Sequence, residues 1–141
     1  MLGLVLSSAS AQDTLRVEFP DHDYETALAD AEENYDGALF IYFYHPDDKG
    51  HELVAAHTFK IERLARYVNT NFSRLAVNTA TSDGLALLSR FKQNPDVWPV
   101  VVVFNSKNKI APQMMQGWET IQKEDDAMLT HWLSTLRRVK N

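Results

Sequence analysis

Two stretches of this chain are apolar at consecutive positions: Ala38-Leu39-Phe40-Ile41-Tyr42-Phe43-Tyr44 and Val100-Val101-Val102-Val103-Phe104. Runs this short, rich in β-branched and aromatic residues, predict strands buried on both faces, as at the centre of a sheet covered by helices. The first is expected to be central and parallel to its neighbours. The second comes after Asp96-Val97-Trp98-Pro99, and the rest of the chain is organised around it. Pro99 has no amide N–H to give to a ladder, so it belongs at the strand's entrance. The Trp98–Pro99 bond is a candidate cis peptide beside the end of the sheet. Weaker alternation marks three more extended segments. Thr14 to Phe19 (Leu15, Val17, Phe19) reads as a short edge strand or an extended arm. Phe72 to Thr79 reads as a strand. Ile110 to Gln116, interrupted by Pro112, reads as an edge strand.

Helical periodicity fills the intervals. Tyr24 to Asn34 places Tyr24, Ala27, Leu28 and Ala31 on one face, with Asp21 or Asp23 as cap and Asp36-Gly37 closing the end. His51 to about Thr70 repeats Leu53, His57, Ile61, Leu64 and Val68, with an interruption expected near Phe59-Lys60. Ser82 or Asp83 caps a helix to about Lys92 that turns Leu85, Leu88 and Phe91 inward. A last helix spans about Gln122 to Val139, with Met128, Leu129, Trp132, Leu133 and Leu136 as its stripe. Acidic residues at its start and basic residues at its end suit the helix dipole. The polar turn Asn105–Lys109 lets the strands on either side of it pair antiparallel. The order β-α-β-α-β-α-β-β-α predicts an α/β fold with a central mixed sheet flanked by helices.

Composition narrows the function classes. A chain of 141 residues, 45% of them hydrophobic, suffices for one domain with its own core. The net charge of −5 argues against a nucleic-acid backbone as partner, and no stretch is long enough to span a membrane. There is no cysteine, which excludes disulfides, thiolate catalysis and cysteine–metal sites within this chain. Leu2-Gly3-Leu4-Val5-Leu6 and Ala9-Ser10-Ala11 have the look of a signal-peptide remnant cleaved before Gln12. Residues 1–12 are therefore read as a leader and 13–141 as the domain. If the chain is secreted, Asn71-Phe72-Ser73 is a glycosylation sequon.

His45, Asp47, Asp48 and His51 form the most chemical cluster, and they lie just past a strand's C-terminal end, where open α/β sheets bind ligands. Imidazole and carboxylate could ligate a divalent ion, but the spacing matches no metal motif, and acids are expected at a helix start as caps. No nucleophile stands at a readable spacing from His51, so no catalytic residue, metal or cofactor is expected. His57 is expected to pack in the core. Trp98 beside Pro99 suits either a peptide-binding surface or core packing. Met114, Met115 and Trp118 suit an adaptable apolar surface, or packing of an edge strand under the last helix. Lys49, Lys60, Arg63 and Arg66 could form a basic patch for a carboxylate headgroup.

The order of elements, the X-Pro before a hairpin and Gly117-Trp118 before the last helix resemble the thioredoxin fold. Aligned on Phe43-Tyr44, the positions of the thioredoxin Cys-x-x-Cys pair fall on Asp48 and His51. A closer resemblance is to the UAS domain, a cysteine-poor thioredoxin-like domain of the Fas-associated factor family of UBX proteins. It rests on the stretches 23–31, Leu39-Phe40-Ile41-Tyr42-Phe43-Tyr44-His45, Tyr67-Val68-Asn69-Thr70-Asn71-Phe72, Trp98-Pro99 and Met115-Gln116-Gly117-Trp118. That resemblance implies a redox-inactive, non-enzymatic binding domain, cytoplasmic or at the endoplasmic reticulum surface and linked to ubiquitin-dependent protein quality control. Its implied partners are a protein or an unsaturated long-chain fatty acid, with self-association. The family's ubiquitin-binding and ATPase-binding parts are not carried over. The alternative, if Ala9-Ser10-Ala11 is cleaved, is a secreted or luminal thioredoxin-like protein that binds unfolded peptides.

Overall fold

The computed structural model describes residues 15–91, 99–108, 110–121 and 123–141. The leader over 1–12, Trp98 with its bond to Pro99, and the expected helix limits Lys92 and Gln122 lie outside the described residues. In order, the described elements are α1 (Tyr24–Asn34), β1 (Ala38–Tyr44), α2 (Lys49–Ala56), a 3₁₀ turn (Thr58–Lys60) and α3 (Glu62–Asn71). They continue with β2 (Ser73–Asn78), α4 (Ser82–Ser89), β3 (Val100–Asn105), β4 (Gln113–Met115), a 3₁₀ turn (Trp118–Thr120) and α5 (Ala127–Lys140).

The four strands form one sheet in the order β2-β1-β3-β4. β1 is central, as its unbroken apolar run predicts, but only half of its expected pairing is parallel. It runs parallel to β2 (Ile41 opposite Leu75) and antiparallel to β3 (Ile41 opposite Val102). β4 closes the far edge antiparallel to β3. It is only three residues long and begins directly after Pro112, which cannot donate to a ladder.

Strand alternation divides the core in two. Phe40 and Tyr42 face Phe59, Phe72, Trp118 and Leu133 from the α2, α3 and α5 side. Leu39, Ile41 and Phe43 face Ala27, Ala31 and Leu88 from the α1 and α4 side. Thr58 ties the first layer together: its buried hydroxyl lies 2.7 Å from the carbonyls of both Trp118 and Ile121.

Several local expectations are decided or corrected. Of the two readings of the stretch ending at Phe19, the extended arm is the one found over Leu15 to Phe19. Its Val17 N–H donates to the Phe59 carbonyl (2.8 Å), and Asn69 bonds both Glu18 N–H and the Arg16 carbonyl. The long helix is cut at His57, whose backbone leaves the helical region (φ −126°, ψ −62°), so His57 drops off the apolar stripe and is exposed. Thr81, not Ser82 or Asp83, caps α4 by accepting from Gly84 N–H; Leu88 is buried as expected, but Leu85 faces solvent. Asp126 caps α5 through Met128 N–H, so that helix begins five residues later than its periodicity predicts.

Gly84 is where α4 meets the end of β2. A Cβ there would lie 2.0 Å from the Asn78 carbonyl oxygen, a backbone atom that cannot step aside. Gly84→Ala is expected to lower stability by at least about 2 kcal/mol, and Trp118→Ala by about 3–5 kcal/mol. Urea denaturation checks both, and an unchanged midpoint for either variant would contradict the packing described.

Candidate functional site

The outermost residues of β1 differ from the rest of the strand in carrying hydroxyls. Tyr42 and Tyr44 share one face by alternation, and their rings stack 5.7 Å apart. The chain then turns through His45–Asp48 into α2. Asp48 caps that helix by accepting the His51 N–H (3.0 Å), which fixes the first turn. The His51 ring is thereby laid on Tyr44 (centroids 4.5 Å apart, 21° between planes), with its Nδ1 2.7 Å from the Tyr42 hydroxyl. Phe59 meets Tyr42 edge-on at 4.8 Å, and Phe19 of the arm stacks on it at 5.8 Å.

Together these rings line a hollow of about 500 Å³ completed by Val17, Ala55 and Ala76, with Arg16 and Glu18 also in its wall. That volume lies in the range of roughly 300–1,000 Å³ usual for small-molecule sites. Burial pushes the Tyr42 phenol well above the ordinary tyrosine range, helped by the negative charge of Asp48. Burial likewise holds the His51 imidazole below the ordinary histidine range, against the opposing pull of Asp48 and Glu52. Both shifts favour the uncharged forms. The hollow can therefore receive an aromatic or aliphatic group and offer it a small number of polar contacts.

The residues singled out from the sequence are only partly brought together. Asp48 and His51 meet at the hollow, as cap and as wall. His45 turns into its own loop, where its Nδ1 accepts the Asp47 N–H (3.2 Å). Among the described residues no three His, Asp or Glu side chains gather as metal ligands. Pro99 is buried immediately before β3. Trp118 is removed from any surface: it is fully buried and stacked on Trp132 at 5.9 Å, because the left-handed Gly117 (φ 84°) turns it inward. Met115 is buried too, and only Met114 of that group is exposed, as expected for alternate residues of an edge strand.

The basic residues separate as well. Arg63 and Arg66 line a groove of about 290 Å³ with Tyr67, Leu133 and Arg137, and neither Lys49 nor Lys60 lines it. Arg66 there pairs with Glu62 (2.8 Å).

Tyr42, Tyr44, Phe19 and Phe59 are the residues that sequence reading alone does not assemble. One signal was available: two tyrosines at alternate positions where an otherwise apolar strand ends.

The sequence matches no protein-family model and, at a significant level, no curated protein. Solved structures do match. A thioredoxin from Thermus thermophilus aligns over 84% of this chain and 84% of its own, at 18% identity and a TM-score of 0.61. A chain of the complex of ferredoxin:thioredoxin reductase with thioredoxin f2 aligns over 86% of this chain and 99% of its own, at 11% identity and a TM-score of 0.54. A designed protein aligns over 86% and 96%, at 18% identity and a TM-score of 0.50. The fold is thioredoxin-like: a mixed four-stranded sheet flanked by helices. At these identities the likeness is one of fold.

The lowered pKa of half-buried His51 predicts a pH effect. An imidazole depressed in the folded state is protonated first in the unfolded chain, so its contribution to stability is complete above the unfolded pKa near 6.5 and is lost as pH falls below it. His51→Gln should remove part of the stability loss between neutral and mildly acidic pH, measured by urea denaturation at both. An identical loss in the variant would contradict the assignment.

Proposed function

We propose that this chain is a non-catalytic thioredoxin-fold binding domain, and that the hollow at the end of β1 receives an apolar side chain of a protein partner. One observation carries the reading. Where thioredoxins hold two cysteines on the loop after the central strand, this chain has a helix cap and a histidine that complete an aromatic cavity. A cavity lined mainly by aromatic rings favours a side chain such as phenylalanine or leucine, since stacked and edge-on contacts add to simple area burial. A role as a UAS-like domain is consistent with this reading.

A second reading, a long-chain fatty acid, is favoured by a different observation. The groove of Arg63, Arg66 and Arg137 joins guanidinium groups to the apolar side chains of Tyr67 and Leu133, a combination suited to a carboxylate headgroup with its chain.

Amide NMR titrations separate the two. An unfolded peptide rich in phenylalanine and leucine is expected to give saturable shifts at Tyr44, His51, Ala55 and Phe59, and Tyr44→Ala should weaken its binding roughly tenfold. Saturable shifts with oleate alone, centred on Arg63 and Arg137, would replace this reading with the second. Silence with both ligands would overturn both.

A further inference from the structure

We infer that the outer edge of β2 docks an extended peptide segment as a fifth strand, with apolar side chains entering the Tyr42–His51 hollow and basic side chains alternating with them on the opposite face. This inference rests on the reading of the hollow as a partner site and names the form and chemistry of that partner.

Among the described residues the edge is open at a defined place. In a parallel ladder each residue turns its N–H and C=O to the same side. Thr79 N–H donates to the Tyr44 carbonyl on the β1 side (2.9 Å), so the odd-numbered residues of β2 serve that pairing. The Arg74, Ala76 and Asn78 backbone groups therefore point outward. The Arg74 carbonyl is taken by His22 Nε2 (2.8 Å), and the Asn78 carbonyl by the Thr81 hydroxyl (2.9 Å). Between these two caps, the N–H and C=O of Ala76 are met by no described group. The arm that could have covered the edge crosses the helix-covered face instead, held by its bonds to Phe59, Asn69 and Arg74. An edge left unpaired among the described residues is a template for strand addition.

The two faces of the edge are built for alternate side chains. Ala76 lines the aromatic hollow on one face. It also lines a second hollow of about 360 Å³ on the other, among Leu75, Val77, Tyr24 and Leu87. A strand laid along β2 sends successive side chains to opposite faces, and so into one hollow and then the other. The second hollow carries the carboxylates of Asp23, Glu25 and Asp83 against the single guanidinium of Arg90. That surplus of negative charge selects lysine or arginine at the alternate positions.

The test uses a capped peptide of alternating phenylalanine and lysine, and the same peptide N-methylated at every second residue so that its side chains are kept but its ladder donors are lost. Hydrogen exchange and amide NMR of the full chain read the result. Strand addition predicts that the unmethylated peptide slows exchange of the Ala76 amide and perturbs both hollows, and that N-methylation weakens binding at least tenfold. Glu25→Lys with Asp83→Lys should weaken it similarly, leaving a phenylalanine–serine peptide less affected. Equal binding by both peptides, with shifts confined to Tyr44, His51 and Phe59, would overturn strand addition while leaving the hollow as a side-chain site. No saturable binding by either peptide, with Ala76 exchange unchanged, would overturn the inference together with the reading it rests on.

Discussion

Burial of β1 on both faces is the constraint that shapes all the packing around it. From Ala38 to Phe43 every side chain of the strand is buried, so each must be apolar or have its polar atom satisfied by a specific partner. Two helical layers are needed to cover those faces. α1 and α4 cover one, and α2, α3 and α5 the other. The same constraint places polar function at the strand's end. Tyr42 satisfies its hydroxyl through His51, and Tyr44, half-buried, lies at the boundary between core and solvent.

The turn after β1 determines the chemistry. In α/β folds such a turn delivers the start of a helix against the sheet edge, a place where ligands gather. Here it carries Asp48 and His51. The cap orients the imidazole, the imidazole stacks on Tyr44, and the arm and the Thr58–Lys60 turn bring in Phe19 and Phe59 to complete the walls. No thiol is available in the chain, so the position cannot carry the two-cysteine disulfide exchange.

Much of the fold was legible from local pattern. The two unbroken apolar runs, the cap at Asp23, the interruption near Phe59-Lys60 and the short edge strand after Pro112 are each set by a few neighbouring residues. The features that local pattern missed depended on distant partners. Alternation of Leu15, Val17 and Phe19 leaves edge strand and arm both open, and only the bond from Val17 to Phe59, far away in sequence, decides for the arm. Arg74 sits in a strand and is nearly buried, its guanidinium shared between the nearby Phe72 carbonyl and Asn69 and the distant Glu18 carbonyl and Tyr35 hydroxyl. The site was half legible for the same reason. His51 and Asp48 share one helical turn, whereas Phe19, Phe59 and Tyr42 meet only once the sheet has formed. Of the two readings open for Trp118, packing under the last helix is the one found: Gly117's left-handed turn, invisible to hydrophobic periodicity, sends it into the core against Trp132.

The most direct test of the central claim, that the hollow at the end of β1 is occupied by a partner's apolar side chain, is an NMR titration of the His51 ring. It is run on the free chain and on the chain saturated with a capped phenylalanine-containing peptide. Occupancy excludes further water from the imidazole, so the account predicts that the ring resonances move on binding and that the titration midpoint falls further below the ordinary histidine range. Ring resonances and a midpoint unchanged at saturation would contradict it.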